Sequence, residues 1–103
     1  MYLLSFYVPP DQADQVKEAM FAAGAGRIGA YEYCAWQTLG RGQFRPLAGS
    51  NPFIGQKDKL DFVDEAKVEM VCSDDVIKPV MEALRAAHPY ETPAYAVIKC
   101  EDF

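Results

Sequence analysis

The chain is short of most things from which a catalytic centre is assembled. Of its 103 residues, one is histidine, one is tryptophan and three are cysteine. An activated nucleophile needs a base beside it, and His88 is the sole imidazole. Cys34, Cys72 and Cys100 are odd in number and widely spaced, with no C-x-x-C pair. That excludes an internal disulfide framework and leaves buried, reduced thiols as the expectation. Positive charge is also scarce: 10 Lys and Arg stand against 15 Asp and Glu, a net charge of −5. Such a chain has no broad electrostatic footprint for nucleic acid or an anionic membrane. No apolar run reaches the roughly 18 residues needed to span a bilayer. The opening stretch MYLLSFYVPPD lacks the positive region and small-residue cleavage site of a leader peptide and reads as a strand, so the cytoplasm is the expected compartment.

Nucleotide motifs fail in the same way. No G-K-[ST] occurs, hence no P-loop. Gly24-Ala25-Gly26-Arg27-Ile28-Gly29 matches G-x-G-x-x-G, but it follows a helix and opens a strand. The dinucleotide fingerprint requires the reverse order, so that a helix N-terminus meets the pyrophosphate. A helix C-terminus would repel phosphate, and the string reads as a capping turn.

What is present is a core. Half the residues are hydrophobic and 13% are aromatic. Residues 1–103 are expected to form one domain with limited surplus stability, which self-association would supplement. Tyr2 to Val8 reads as a buried strand. Asp11 is placed to cap a helix over Gln12 to Ala23, with Val16, Ala19, Met20 and Ala23 on its buried stripe and Gly24 as its left-handed terminator. Tyr31 to Leu39 reads as a second strand. Gly40-Arg41-Gly42 reads as a turn, with Gln43 to Leu47 returning as a short hairpin arm. Leu60 to Cys72 is extended, with Val68, Met70 and Cys72 on one face. A second helix starts between Asp75 and Lys78, carries Val80, Leu84 and Ala87 inward, and stops at His88 because Pro89 follows. Ala94 to Cys100 is the last strand. The order β-α-β-β-α-β, with an extra hairpin between strands two and three, specifies an α+β ferredoxin-like sandwich with spatial order four-one-three-two. One sheet face takes both helices. The other stays open, with Tyr2 or Tyr7, Tyr31, Tyr33 and Phe44 expected on it, and an apolar open face marks self-association.

Two stretches carry candidate function. In HPYETPAY, from His88 to Tyr95, Pro89 and Pro93 hold the backbone extended. His88 has three readings: a helix-terminal residue bonded to backbone, a polar member of a small-ligand pocket at a subunit boundary, or a metal ligand with Glu91. A catalytic zinc takes three protein ligands, and His88 with Glu91 supplies two. Cys72 and Cys100 are separated by strand one, about 10 Å at sheet spacing, which excludes a shared thiolate site. The second stretch is the loop Gly49-Ser50-Asn51-Pro52-Phe53-Ile54-Gly55. Its turns suit an anion nest near Arg41, Arg45 and Lys57. They equally suit a compact loop that packs Phe53 and Ile54 into a subunit contact. Lys59 completes the local basic cluster, with Asp58 and Asp61 interleaved.

AHPYETPAY, together with GAGRIGAYEYCAWQTLGRGQFRPLAGSNPFIGQKDKLDFVDEAKVEM from Gly24 to Met70, resembles the small domain inserted in the Nif-three-like dinuclear-metal hexameric proteins, as a stand-alone version of it. The His-Pro-Tyr-Glu-x-Pro string also resembles the CutA divalent-cation tolerance proteins, which share a fold with the P-II nitrogen regulators. The resemblance implies a CutA/P-II-like fold, an oligomer with trimer favoured and dimer next, and a sensory or access-controlling role. In the Nif-three-like proteins the dinuclear metal is held by several histidines and acids in the flanking lobes, so the hydrolase label does not transfer to a chain with one histidine. The hairpin and loop after strand two stand where P-II proteins carry their partner-binding loop.

The resulting expectation is a non-enzymatic oligomeric domain that binds a small ligand or a protein partner, with no nucleic acid, no membrane and no required cofactor. The ligand-binding set is His88, Tyr90, Glu91, Asn51 and Arg45. The alternative is a divalent-metal protein or metal-dependent hydrolase that uses His88 and Glu91 at a subunit interface.

Overall fold

The computed structural model describes residues 1–103. Its elements are β1 (Tyr2–Val8), α1 (Ala13–Ala22), β2 (Trp36–Phe44), β3 (Asp61–Cys72), α2 (Ile77–Ala87) and β4 (Tyr95–Lys99). The four strands form one antiparallel sheet in the order β2-β3-β1-β4, and this is the α+β ferredoxin-like arrangement expected from the sequence. Alternation sets the core. Leu4, Phe6 and Val8 of β1 and Ala66, Val68, Met70 and Cys72 of β3 point to one face, where Val16, Met20, Val80 and Leu84 of the helices meet them. No helix is long and apolar enough to cross a membrane.

Both helices begin with a single 3-10 turn, Pro10–Gln12 and Asp74–Val76. Asp11 lies inside the first of these turns and caps nothing through its side chain. Pro10 starts the turn instead, because its fixed φ and missing N–H suit a first helical position. At the other end of α1 the cap is as expected. Gly24 takes φ +115°, Ala25 N–H reaches the Met20 carbonyl, and Gly24 N–H reaches that of Phe21, the paired bonds of a Schellman ending. Pro79 sits within the first turn of α2, where its missing donor costs nothing. His88 is extended, with ψ 135°, ahead of Pro89.

The segment between α1 and β2 departs from expectation. β2 begins at Trp36 rather than Tyr31 and ends at Phe44. Tyr31 is held in a bridge with Ile28, and Tyr33 stacks on Phe21 with ring centroids 4.7 Å apart, so neither lies on the sheet. Gly26 organises this turn. Its N–H donates to the Val71 carbonyl and its carbonyl accepts from Cys34 N–H, both at 2.8 Å. Its φ is +76°, and an added Cβ would stand 2.6 Å from the Phe21 ring and 2.9 Å from the Cys34 carbonyl. Gly26→Ala is therefore expected to destabilise by roughly 1–3 kcal/mol, read as a lower urea midpoint.

The hairpin expected at Gly40-Arg41-Gly42 is also replaced. β2 runs straight through these residues, which pair with Glu65, Asp64 and Val63 of β3. A Cβ at Gly42 would lie 2.0 Å from the Glu65 carboxylate, so the bare backbone accommodates a cross-strand side chain rather than a turn. The hairpin is β2 and β3 themselves, joined by the long loop 45–60. On the open face the register places Trp36 opposite Glu69, Thr38 and Tyr7 opposite Lys67, and Ile98 opposite Leu3. Tyr7 and Phe44 are on that face as expected. Tyr2 shares the helix side with Leu4 and packs on the core.

Candidate functional site

The site grows from the point where α2 ends. His88 is 6% exposed and is the one buried polar or charged side chain in the chain. Its Nε2 lies 2.6 Å from the Tyr7 carbonyl of β1. A carbonyl only accepts, so Nε2 carries the proton. Nδ1 then accepts from Tyr90 N–H at 3.1 Å. Burial holds the imidazole below its ordinary range, against smaller opposing pulls from the Tyr7 carbonyl and the Glu65 carboxylate. His88 is thus a neutral ring with both nitrogens engaged, edge-on to Phe6.

Tyr90 is seated by that bond. Its ring lies 4.8 Å from the His88 ring, and its hydroxyl donates to Glu65 at 3.1 Å. Burial, then the Glu65 charge, pushes the phenol far above its ordinary value, so it stays protonated. Next in the chain, Glu91 turns to the loop 45–60 and accepts Asn51 N–H at 3.0 Å. Phe53 of the same loop approaches Tyr90, ring centroids 6.3 Å apart. The loop is shaped by Gly49 and Gly55 at positive φ, and Ser50 bonds back to the Leu47 carbonyl at 2.6 Å. Two segments some forty residues apart in sequence therefore meet.

Between them is a cleft of about 460 Å³. Its apolar wall includes Phe44, Leu47 and Ile54, and its polar rim is Arg45, Ser50, Tyr90, Glu91 and Thr92. Neither Arg45 nor Glu91 makes an ion pair within the chain. Of the five residues expected at the site, Arg45, Tyr90 and Glu91 line the cleft. Asn51 contributes its backbone N–H, and His88 holds Tyr90 from behind. The rest of the basic cluster disperses: Arg41 lies over the Phe62 ring at 4.0 Å, and Lys59 borders a separate shallow depression. Glu65 and Thr92 were not singled out from the sequence. Glu65 alternates with core residues of β3, and only the fold brings Tyr90 to it.

As a metal centre the arrangement is incomplete. Both His88 nitrogens are in hydrogen bonds, Glu91 faces Asn51, and no three or more His, Cys, Asp and Glu side chains group to hold an ion. The three cysteines are unpaired, and burial raises the Cys72 thiol above its ordinary value, which keeps it a protonated, inert core residue. A second depression of about 400 Å³ runs along the open sheet face beside Tyr7, Trp36, Glu65, Lys67 and Glu69, over Gly40 and Gly42.

No family model matches the chain. Curated relatives do. A Halalkalibacterium halodurans protein named GTP cyclohydrolase 1 type 2 homolog is 45% identical over 95 residues, covering 92% of this chain and 26% of that protein. Its Bacillus subtilis namesake is 43% identical over 98 residues, covering 95% and 26%. The solved structure of a Bacillus cereus protein related to NIF3 superposes with TM-score 0.84 at 32% identity, over 98% of this chain and 26% of that one. CutA1 from Pyrococcus horikoshii superposes with TM-score 0.69 at 20% identity, over 100% of this chain and 86% of that one, a likeness of fold alone. The chain spans about a quarter of the length of the curated relatives it matches. Over nearly its whole length it is a homologue of one segment of the NIF3-related GTP cyclohydrolase 1 type 2 homologues, with a CutA-like fold.

Proposed function

We propose that residues 1–103 act as one non-enzymatic, self-associating domain that binds a small ligand in the cleft between the loop 45–60 and residues 88–92. The observation that carries this reading is the convergence of Arg45, Tyr90 and Glu91 on one cleft from two distant segments. An apolar wall with a few convergent polar groups is the usual composition of a ligand site. Arg45 offers a guanidinium without an internal partner, and Glu91 offers a carboxylate with a free oxygen. The ligand class that fits is a small molecule with an apolar face, an anionic group for Arg45 and a hydrogen-bond donor for Glu91. Binding rather than catalysis suits a site whose imidazole is fully engaged and whose other rim groups include no activated nucleophile.

Self-association is read from the open sheet face. Trp36 is 63% exposed and Ile98 55%, with Tyr7 between them across the sheet. A second copy of the chain is the occupant proposed, in a trimer first and a dimer next. Unpaired cysteines suit a reducing compartment, and we place the domain in the cytoplasm.

The test is a thermal-shift screen of wild type, Arg45→Ala, Glu91→Ala and His88→Ala. The panel holds GTP, other nucleotides, small phosphates and divalent metals, GTP being included because of the relatives' name. A ligand at about 100 times its dissociation constant adds roughly 2.7 kcal/mol. A shift with one anionic ligand that is lost in Arg45→Ala supports the cleft. A shift with a metal ion alone, lost in His88→Ala, would favour the metal reading. No shift with any compound would sink the ligand reading.

A further inference from the structure

We propose that His88 is a proton-operated latch on the cleft: protonation at Nδ1 releases Tyr90 and Glu91, and with them the loop 45–60. Its use as regulation of ligand binding rests on the cleft being a ligand site. The latch itself is a property of the chain and is tested without ligand.

The contacts form a chain with one reversible member. Tyr7 belongs to β1, an inner strand of the sheet paired with β3 on one side and β4 on the other. His88 donates to its carbonyl through Nε2. Tyr90 N–H then needs an acceptor, and the Nδ1 lone pair is that acceptor. A proton on Nδ1 turns it into a donor, and two N–H groups would face each other at 3.1 Å. The bond is lost and becomes a repulsion. Glu91 follows Tyr90 directly, and a hydrogen bond from Asn51 to Glu91 and a ring contact of Phe53 with Tyr90 tie the loop to these two residues.

The groups facing His88 set the direction. From β1 come the Phe6 ring and the Tyr7 carbonyl. From α2 comes the Leu84 carbonyl, which accepts the His88 backbone N–H. From β3 comes the Glu65 carboxylate, and from the same segment the Tyr90 ring. Glu65 alone among these is charged, and it is engaged by the Tyr90 hydroxyl. A charged imidazole draws on Glu65 and weakens that second hold on Tyr90 as well. In the closed state burial disfavours the proton, whereas an opened segment hydrates the ring. Acid therefore favours opening, by at most tenfold per pH unit for one linked proton.

The experiment is an NMR titration of the isotopically labelled full chain from about pH 8 to about pH 5, the range of imidazole chemistry. It follows the His88 ring protons and the exchange protection of the Asn51 and Tyr90 amides. In wild type all three are expected to move with one midpoint, lying below 6.5. His88→Gln keeps a donor and an acceptor without titrating, and its Asn51 and Tyr90 amides are expected to stay protected throughout. A His88 ring that titrates while Asn51 stays protected would overturn the latch. So would wild-type release that persists in His88→Gln. Should that variant not fold, coincidence or separation of the wild-type midpoints decides.

Discussion

Replacing His88 with alanine is expected to destabilise the fold by roughly 2–4 kcal/mol, since it strands two hydrogen-bonding groups at about 1–3 kcal/mol each, discounted for partial access of water. The groups are the Tyr7 carbonyl and the Tyr90 N–H, both bonded to the ring. Lost packing against Phe6 and Tyr90 acts in the same direction. Urea denaturation of both proteins measures it. The same pair of curves carries a pH signature. The folded-state imidazole is held below its ordinary value of 6.5, chiefly by burial. The unfolded chain therefore takes up this proton at higher pH than the folded one. Stability is full above pH 6.5 and is lost as pH falls below it toward the folded value. In His88→Ala that limb disappears. Asp74 contributes a separate limb, since the Lys99 ammonium holds its carboxyl below the ordinary 3.8, and any loss there comes in stronger acid. A variant as stable as wild type, or one with an unchanged limb near neutrality, would contradict the role assigned to His88.

Trp36→Glu is expected to weaken self-association by at least about 30-fold, the equivalent of about 2 kcal/mol for an interface aromatic anchor. Trp36 stands on the open face, so burying a carboxylate in the contact adds a desolvation cost to the lost apolar contact. The residue is 63% exposed in the single chain, so the fold of each copy loses only the roughly 0.2–1 kcal/mol of a like-charged cross-strand pair with Glu69. Sedimentation over a concentration series separates the two effects. If wild type sediments as a monomer at all concentrations, or the variant assembles as wild type does, the open face is not the interface.

Much of the architecture is legible in the chain because its signals are local. Alternation along Leu60 to Cys72 marks the core face of β3, and Gly24 marks the end of α1 through the conformation it alone adopts without strain. Pro89 stops α2 through its clash with a helical predecessor. The order of strands follows from β-α-β-β-α-β connectivity. Where glycine has a non-local purpose the same logic misleads. Gly40-Arg41-Gly42 has the composition of a turn, yet it is strand, because the space a Cβ would take at Gly42 is occupied by Glu65 from across the sheet. Tyr31 and Tyr33 have the spacing of strand residues, yet Gly26 and Phe21 hold that segment off the sheet.

The site divides along the same line. By itself the sequence singled out HPYETPAY and the glycine-rich loop as the places where polar and aromatic residues gather on stiff backbone. That these two segments meet, that His88 spends both nitrogens on Tyr7 and Tyr90, and that Glu91 clamps Asn51 were decided by tertiary structure. Hydrogen-bond partners many residues away leave no period or spacing in a chain. They exist only once the sheet has brought β1, β3 and the two loops to one end of the fold.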